Sequence, residues 1–242
     1  MQSSMLKSYL TGLILGDGYI DKGIAKRWFR IKSTHKDFIC RIYEDLSSAT
    51  DFTIFVNSFP ESIGKDGTHH KEYWELSIRA HPYFAKIYHW FYDDFRNRVI
   101  TKNALDALDW NGWANWYMSD GYITKIGKES EDGIIRDRRV ELSTDRYSLS
   151  GVEYLSKYIS EEIGYKTSVI KRGKAYRLRL SLLSADDFFL NISPFVVDSF
   201  RYKLDLAYDY KPSWMSNQYY ELMKTVQSAG PRNSGWRNSL RK

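Results

Sequence analysis

The tetrapeptide Asp-Gly-Tyr-Ile at 17–20 returns at 120–123, an offset of 103 residues, and each copy ends a largely apolar run, LTGLILG in the first and NWYMS in the second. Two further landmarks recur in the same order. FRNRVI at 95–100 matches FRYKLD at 200–205, an offset of 105, and each follows an aromatic-rich apolar segment. IKSTHKDFICRIYEDL from Ile31 matches ELSTDRYSLSGVEYLSKYI from Glu141, each an alternating strand that passes through Ser-Thr into an amphipathic helix. Three landmarks in one order mark an internal duplication, so the chain has to fold as two like halves. The predicted limits are 1–103 and 104–223, followed by a basic tail over 224–242.

Within each half the periodicities read helix, strand pair, helix, strand pair, helix, which predicts an α+β fold with antiparallel sheets. In the first half IAKRWFRIKST is a strand and KDFICRIYEDLSS a helix. DFTIFVNSF and EYWELSIRA form a hairpin across PESIGKDGTHHK, and HPYFAKIYHWFYDDF is the closing helix. TKNALDALDWNG joins the halves, and its Asp-Trp-Asn-Gly predicts a turn and an N-cap for the second motif helix.

The first motif helix is too rich in glycine to be a good helix by propensity, since each interior Gly costs about 0.5–1 kcal/mol relative to Ala. Gly12 and Gly16 lie four apart on one helical face, as do Asn115 and Ser119 in the second copy, so small residues form a stripe where two backbones can approach. Packing of the two stripes would bring Asp17 and Asp120 together at the helix C-termini, with Gly18 and Gly121 as left-handed caps. Carboxylates at that end oppose the helix dipole and repel each other, and a divalent cation resolves both conflicts. Together with the terminal carbonyl oxygens of Gly16 and Ser119, they suit Mg²⁺, a hard ion that keeps several waters and takes phosphate oxygens. The chemistry this predicts is metal-assisted displacement at a phosphodiester.

Charge points to the same substrate. The formal net charge is +6, and the tail from Lys224 supplies five cations and no acid. In the remainder the signs are segregated: IAKRWFRIKSTHK and YKTSVIKRGKAYRLRL contain no acid, whereas the helical stretches lean acidic. Basic strands backed by acidic helices predict a polyanion on one sheet face. A single cysteine, Cys40, excludes an internal disulfide, and no apolar run approaches the roughly 20 residues that span a bilayer. MQSSMLKSYL has no signal-peptide core, which predicts an intracellular protein with no membrane partner, its compartment left open. The five histidines and Cys40 lack the spacing of a zinc site.

LTGLILGDG (10–18) and WANWYMSDG (113–121) resemble the two motifs of single-chain LAGLIDADG homing endonucleases, and the resemblance extends to about residue 210. Leu10, Gly12, Leu13, Ile14, Asp17 and Gly18 match the first motif. The second departs at Asn115 and Trp113, an aromatic form similar to that of some intron-encoded members. The resemblance implies two pseudo-symmetric αββαββα halves forming a saddle of antiparallel sheets over double-stranded DNA. It implies motif aspartates that bind Mg²⁺ and cut both strands across the minor groove, leaving 3′ overhangs. It further implies a basic residue near the cleaved phosphate just after the last helix of each half; here these are Arg98 and Lys203.

Base readers are expected on the wet sheet face, where long side chains at alternate strand positions suit the major groove. The candidates are Lys26, Arg27, Arg30, Lys32, Arg138, Arg139, Lys171, Arg177 and Arg179. Eight strands of about nine residues at roughly 3.3 Å each would follow on the order of 20 base pairs. With both motifs in one chain, a monomer on one asymmetric site is expected. Two alternatives use the same fold: an RNA maturase that binds its own intron RNA, and a DNA-binding regulator that no longer cleaves. Retention of both aspartates favours the endonuclease.

Overall fold

The computed structural model describes residues 3–21, 27–64, 67–126 and 137–204. The tail from Lys224 and the candidate Lys26 lie outside the described residues, as does the side chain of Arg138. Packing divides the described residues into two compact units, one reaching Ser119 and including Val197–Ser199, the other formed by Asp120–Val196 and 200–204.

In the first unit the order is α1 (Ser3–Leu15), β1 (Tyr19–Ile20), β2 (Phe29–Ser33), α2 (Lys36–Ser47), β3 (Ile54–Phe59), β4 (Ser62–Ile63), β5 (His69–His70), β6 (Tyr73–Ile78), α3 (Pro82–Ile87), α4 (Lys102–Asp106) and α5 (Trp110–Asp120). Its main sheet runs β1-β2-β6-β3 with antiparallel pairing throughout. Strict alternation explains the two faces: Phe29, Ile31, Leu76 and Ile78 are fully buried, whereas Arg30 and Lys32 between them are not. Phe38, Ile39, Ile42 and Leu46 of α2 are buried as that helix packs on β2, β3 and β6. Each such side chain contributes up to about 1.5–3 kcal/mol of transfer free energy.

In the second unit the order is β7 (Gly121–Ile126), β8 (Asp137–Leu142), α6 (Leu149–Tyr158), β9 (Thr167–Arg172), β10 (Ala175–Leu180) and α7 (Leu182–Ile192). The sheet order β7-β8-β10-β9 repeats that of the first unit, again antiparallel. With α5 ahead of it, the αββαββα order of the first half is reproduced. The motif helix α5 belongs to the second repeat in sequence, yet up to Ser119 it packs within the first unit.

Three local expectations need correction. The segment HPYFAKIYHWFYDDF is not one helix: α3 ends at Ile87 and a 3-10 turn covers Tyr88–Trp90. The chain then turns at Asp93, whose carboxylate accepts from the Asn97 N–H at 2.7 Å, with Arg96 in the left-handed region at φ 64°. Aromatic density mimicked helical periodicity there. The hairpin loop PESIGKDGTHHK is also more ordered than expected, since β4 and β5 pair within it. Finally, Gly18 and Gly121 are not left-handed caps. Among the described glycines only Gly67, Gly164 and Gly173 have positive φ, and Gly121 is already the first residue of β7. Gly18 is required for space, because a Cβ there would lie 2.6 Å from the Leu13 carbonyl oxygen and 2.8 Å from the Phe29 ring.

Candidate active site and nucleic-acid interface

Close approach of α1 and α5 is the foundation of the site. A Cβ on Gly12 would overlap the Gly112 carbonyl oxygen and stand 2.7 Å from its carbonyl carbon, and one on Gly16 would meet the Ser119 Cβ at 2.6 Å. The stripe on α5 therefore begins at Gly112, which the Asp-Trp-Asn-Gly reading had assigned only to a turn. Asn115 instead spans the groove, donating to the Tyr9 carbonyl at 3.4 Å and accepting from Arg41 at 3.1 Å. At the start of α5, Asp109 Oδ1 accepts from the N–H groups of Asn111 (2.9 Å) and Gly112 (3.0 Å), which is the expected cap. The same oxygen accepts from the Ser8 hydroxyl at 2.6 Å, so the cap also locks the two helices in register.

At the C-terminus of α1, Gly16 and Gly18 are buried and Asp17 between them is exposed. Three carbonyls at and just after the helix end are gathered by one side chain. Arg98 donates to Ile14 O at 2.7 Å, Gly16 O at 3.2 Å and Gly18 O at 2.6 Å. The guanidinium also lies 5.9 Å from the Tyr92 ring, and Tyr92 Oη accepts from the Ile20 N–H at 3.2 Å. A fixed planar fork suits this task, and its positive charge compensates the negative end of the helix dipole. Of the two basic positions aligned by the repeat, Arg98 thus grips main chain, whereas Lys203 ends a 3-10 turn (Asp198–Lys203) with its ammonium 5.0 Å from the Phe200 ring.

Asp120 has a different setting from Asp17. Its side chain is 9% exposed and Oδ1 lies 3.5 Å from Arg146 Nη2, while its carbonyl accepts from the Ser143 N–H at 2.8 Å. Among the described residues no group of three or more His, Cys, Asp or Glu could hold a metal.

On the wet face of the first sheet, the predicted cations are not isolated. Glu75, a buried acid within β6, lies 3.1 Å from Lys32 Nζ and 3.5 Å from Arg30 Nη1. Its carboxylate raises the Lys32 pKa by hydrogen bonding. Arg27 is not part of that face: it precedes β2 on the parity of buried Phe29 and Ile31, and its Cζ stacks 3.3 Å from the ring centre of Tyr88 in the 3-10 turn. The second sheet repeats the design with different strands: fully buried Glu141 on β8 accepts from Arg172 (3.1 Å) and from Arg179 (2.9 and 3.2 Å). Arg177 makes a bidentate pair with Asp145 at 2.7 and 2.8 Å, which holds the Asp145 carboxyl below the usual range. Arg139 is exposed opposite Thr124.

Lys171 is misplaced in the expected reader set. The β9 register sets it opposite Tyr176, on the parity of Val169 and Leu178, whereas Arg172 shares the face of Arg177 and Arg179. A one-residue shift in reading a strand exchanges its faces. Sequence reasoning also missed Glu75 and Glu141, although a lone acid inside YWELS or RRVEL was the available signal, as well as the aromatics of β3.

A family model described as the LAGLIDADG DNA endonuclease family matches residues 7–188. The DNA endonuclease I-ChuI of Chlamydomonas applanata is 25% identical over 215 residues, covering 82% of this chain and 93% of that protein. The solved structure of the homing endonuclease I-WcaI bound to its DNA recognition sequence is similar with a TM-score of 0.70 at 19% identity, covering 84% of this chain and 86% of the other. At that identity the likeness is one of fold. No helix among the described residues is long and apolar enough to cross a membrane.

Proposed function

Because the chain belongs to the LAGLIDADG DNA endonuclease family, we propose that it is a site-specific homing endonuclease that cleaves both strands of a long, asymmetric duplex target as a monomer. The observation that carries this reading is the pair of motif helices packed backbone to backbone, each leading directly into an Asp-Gly. Such packing is costly in propensity and is explained when the residues at the helix ends have a task that needs fixed positions.

The donor chemistry fits a divalent cation. Asp17 offers an exposed carboxylate beside the Gly16 carbonyl, and both are hard oxygen donors. Oxygen-only donors in small number suit Mg²⁺, which keeps waters and accepts phosphate oxygens. A bound ion of this kind supplies charge neutralisation at the phosphoryl oxygens and an acidified water.

In this reading Asp17 and Asp120, with the carbonyls of Gly16 and Ser119, hold the metal. Arg98 is a positioning residue that fixes the chain on both sides of Asp17. Lys203 carries a compact ammonium able to move a proton near the scissile phosphate, a role closed to a guanidinium. Arg30, Lys32, Arg139, Arg172, Arg177 and Arg179 present hydrogen-bond donors to base edges, with Arg suited to guanine. Cleavage leaves 3′ overhangs.

The test is incubation of the purified protein with Mg²⁺ and a duplex spanning the uninterrupted insertion point of its own gene. A double-strand break at one position, lost in Asp17→Asn and in Asp120→Asn, is the expected result. Tight selective binding with no cleavage by the unaltered protein would instead establish a DNA-binding regulator.

A further inference from the structure

The two sheets present different chemistry on the faces that carry their cations. In the first, the register sets Phe55 opposite Ser77, which faces Arg30 on its other side, and Phe59 opposite Tyr73, so these aromatics share the face of Arg30 and Lys32. Phe55 and Phe59 remain 44% and 37% exposed, and they are buttressed from beside: Phe55 stacks on Trp28 at 6.0 Å and Phe59 on Tyr73 at 4.7 Å. Alternating polar and aromatic positions on a wet face are not what a solvated strand needs. The face of the second sheet carries Tyr122 among arginines, with Arg139, Arg172, Arg177 and Arg179 on the same side.

Duplex DNA offers one apolar group on its major-groove floor, the 5-methyl of thymine, and Phe is among the side chains that recognise it. Arg30 and Lys32 on the same face present donors to the neighbouring base edges. We infer that the Phe55 and Phe59 pair reads thymine methyl groups, so that the first unit specifies a thymine-containing segment while the arginines of the second specify guanines. This rests on the endonuclease reading and adds the base preference of each half. The stacked neighbours hold the rings upright, which limits the side-chain freedom lost on binding.

The experiment removes the methyl without altering the protein. A target duplex is first recovered from a randomised pool by selection with the full chain. Each thymine of one half-site, then of the other, is replaced by deoxyuridine, which keeps base pairing. Binding should weaken about fourfold for each contacted methyl in one half-site, the equivalent of one buried methyl-sized group. Substitution in the other half should change it less than twofold. In Phe55→Ala and Phe59→Ala the penalty should vanish in that same half-site, and Phe55→Leu should restore part of it. Equal binding of thymine and deoxyuridine targets in both halves would overturn the inference while leaving the endonuclease reading intact, and so would a penalty unchanged by Phe55→Ala. Failure to recover any preferred duplex would overturn both.

Discussion

Arg98 Nη2 donates to the Gly18 carbonyl at 2.6 Å, joining the turn after the first motif helix to a residue 80 positions downstream. With its bonds to Ile14 and Gly16, this makes Arg98 the terminal clasp of α1. Loss of charged hydrogen bonds of this type costs about 1.5–3 kcal/mol each way of counting them, so Arg98→Ala should lower stability by at least about 2 kcal/mol. Arg98→Lys should recover only a fraction, because an ammonium cannot span the carbonyls as a planar fork. Denaturant melts of the three proteins check this. Wild-type stability in Arg98→Ala would show that the clasp carries no weight.

The α1–α5 contact leaves no room for a methyl group. Gly12→Ala should destabilise by about 1–3 kcal/mol or more through overpacking against Gly112 backbone, which cannot move like a side chain. Gly151→Ala in α6 is the contrast, since its Cβ would meet nothing closer than the Ser148 hydroxyl at 3.4 Å. There the helix should gain about 0.5–1 kcal/mol. Thermal melts of opposite sign are the expected readout.

The two motif aspartates should behave alike in cleavage and differently in folding. Asp17 is exposed, so Asp17→Asn should cost less stability than Asp120→Asn. Asp120 is nearly covered beside Arg146, and Asp120→Asn weakens the pairing of that cation. A loss on the order of 1 kcal/mol is expected there. Chemical denaturation in the absence of added metal separates these effects from cleavage.

Acid should weaken the Asp145–Arg177 pair in a defined window. Since Arg177 depresses the folded-state pKa of Asp145, the pair contributes above the unfolded value of about 3.9 and the contribution disappears as pH falls through the folded value. Both groups are partly exposed, so its worth is roughly 0.2–1 kcal/mol. Asp145→Asn should therefore melt below wild type at pH 7, and the gap should narrow as the pH is lowered below about 3.9.

Lys203 and Arg98 should fail in different ways in cleavage assays. On strand-labelled supercoiled plasmid, Lys203→Met should accumulate a nicked product with one strand preferentially intact. If Lys203→Met and Arg98→Met slow both strands equally, Lys203 has no separate role in proton transfer.

Much of this arrangement was legible because repetition and periodicity are properties of sequence. The duplicated Asp-Gly-Tyr-Ile, the αββαββα order, the Asp109 cap and the glycine stripe on α1 all follow from spacing alone. Gly112 was misread because a glycine in a turn signal and a glycine in a helix contact look the same until the partner helix is known. Arg98 was read as a helix-end cation near phosphate, and only three-dimensional proximity reveals the carbonyls it serves. Lys171 and Arg172 were exchanged because strand parity depends on where pairing starts. Phe55 and Phe59 were absorbed into a hairpin strand, since an aromatic at a strand position predicts core as readily as surface.

Glu75 and Glu141 have a consequence for how such a protein changes its target. Each buried carboxylate is balanced by two neighbouring cations, Arg30 and Lys32 in one sheet and Arg172 and Arg179 in the other. On the proposed function, exchange of one cation for a neutral reader leaves an acid undercompensated on a face that meets a polyanion. A drifting lineage or a protein engineer would therefore meet a ratchet: new base preferences at these positions become accessible through the glutamate first, and only then through the arginine that had seemed to be the reader.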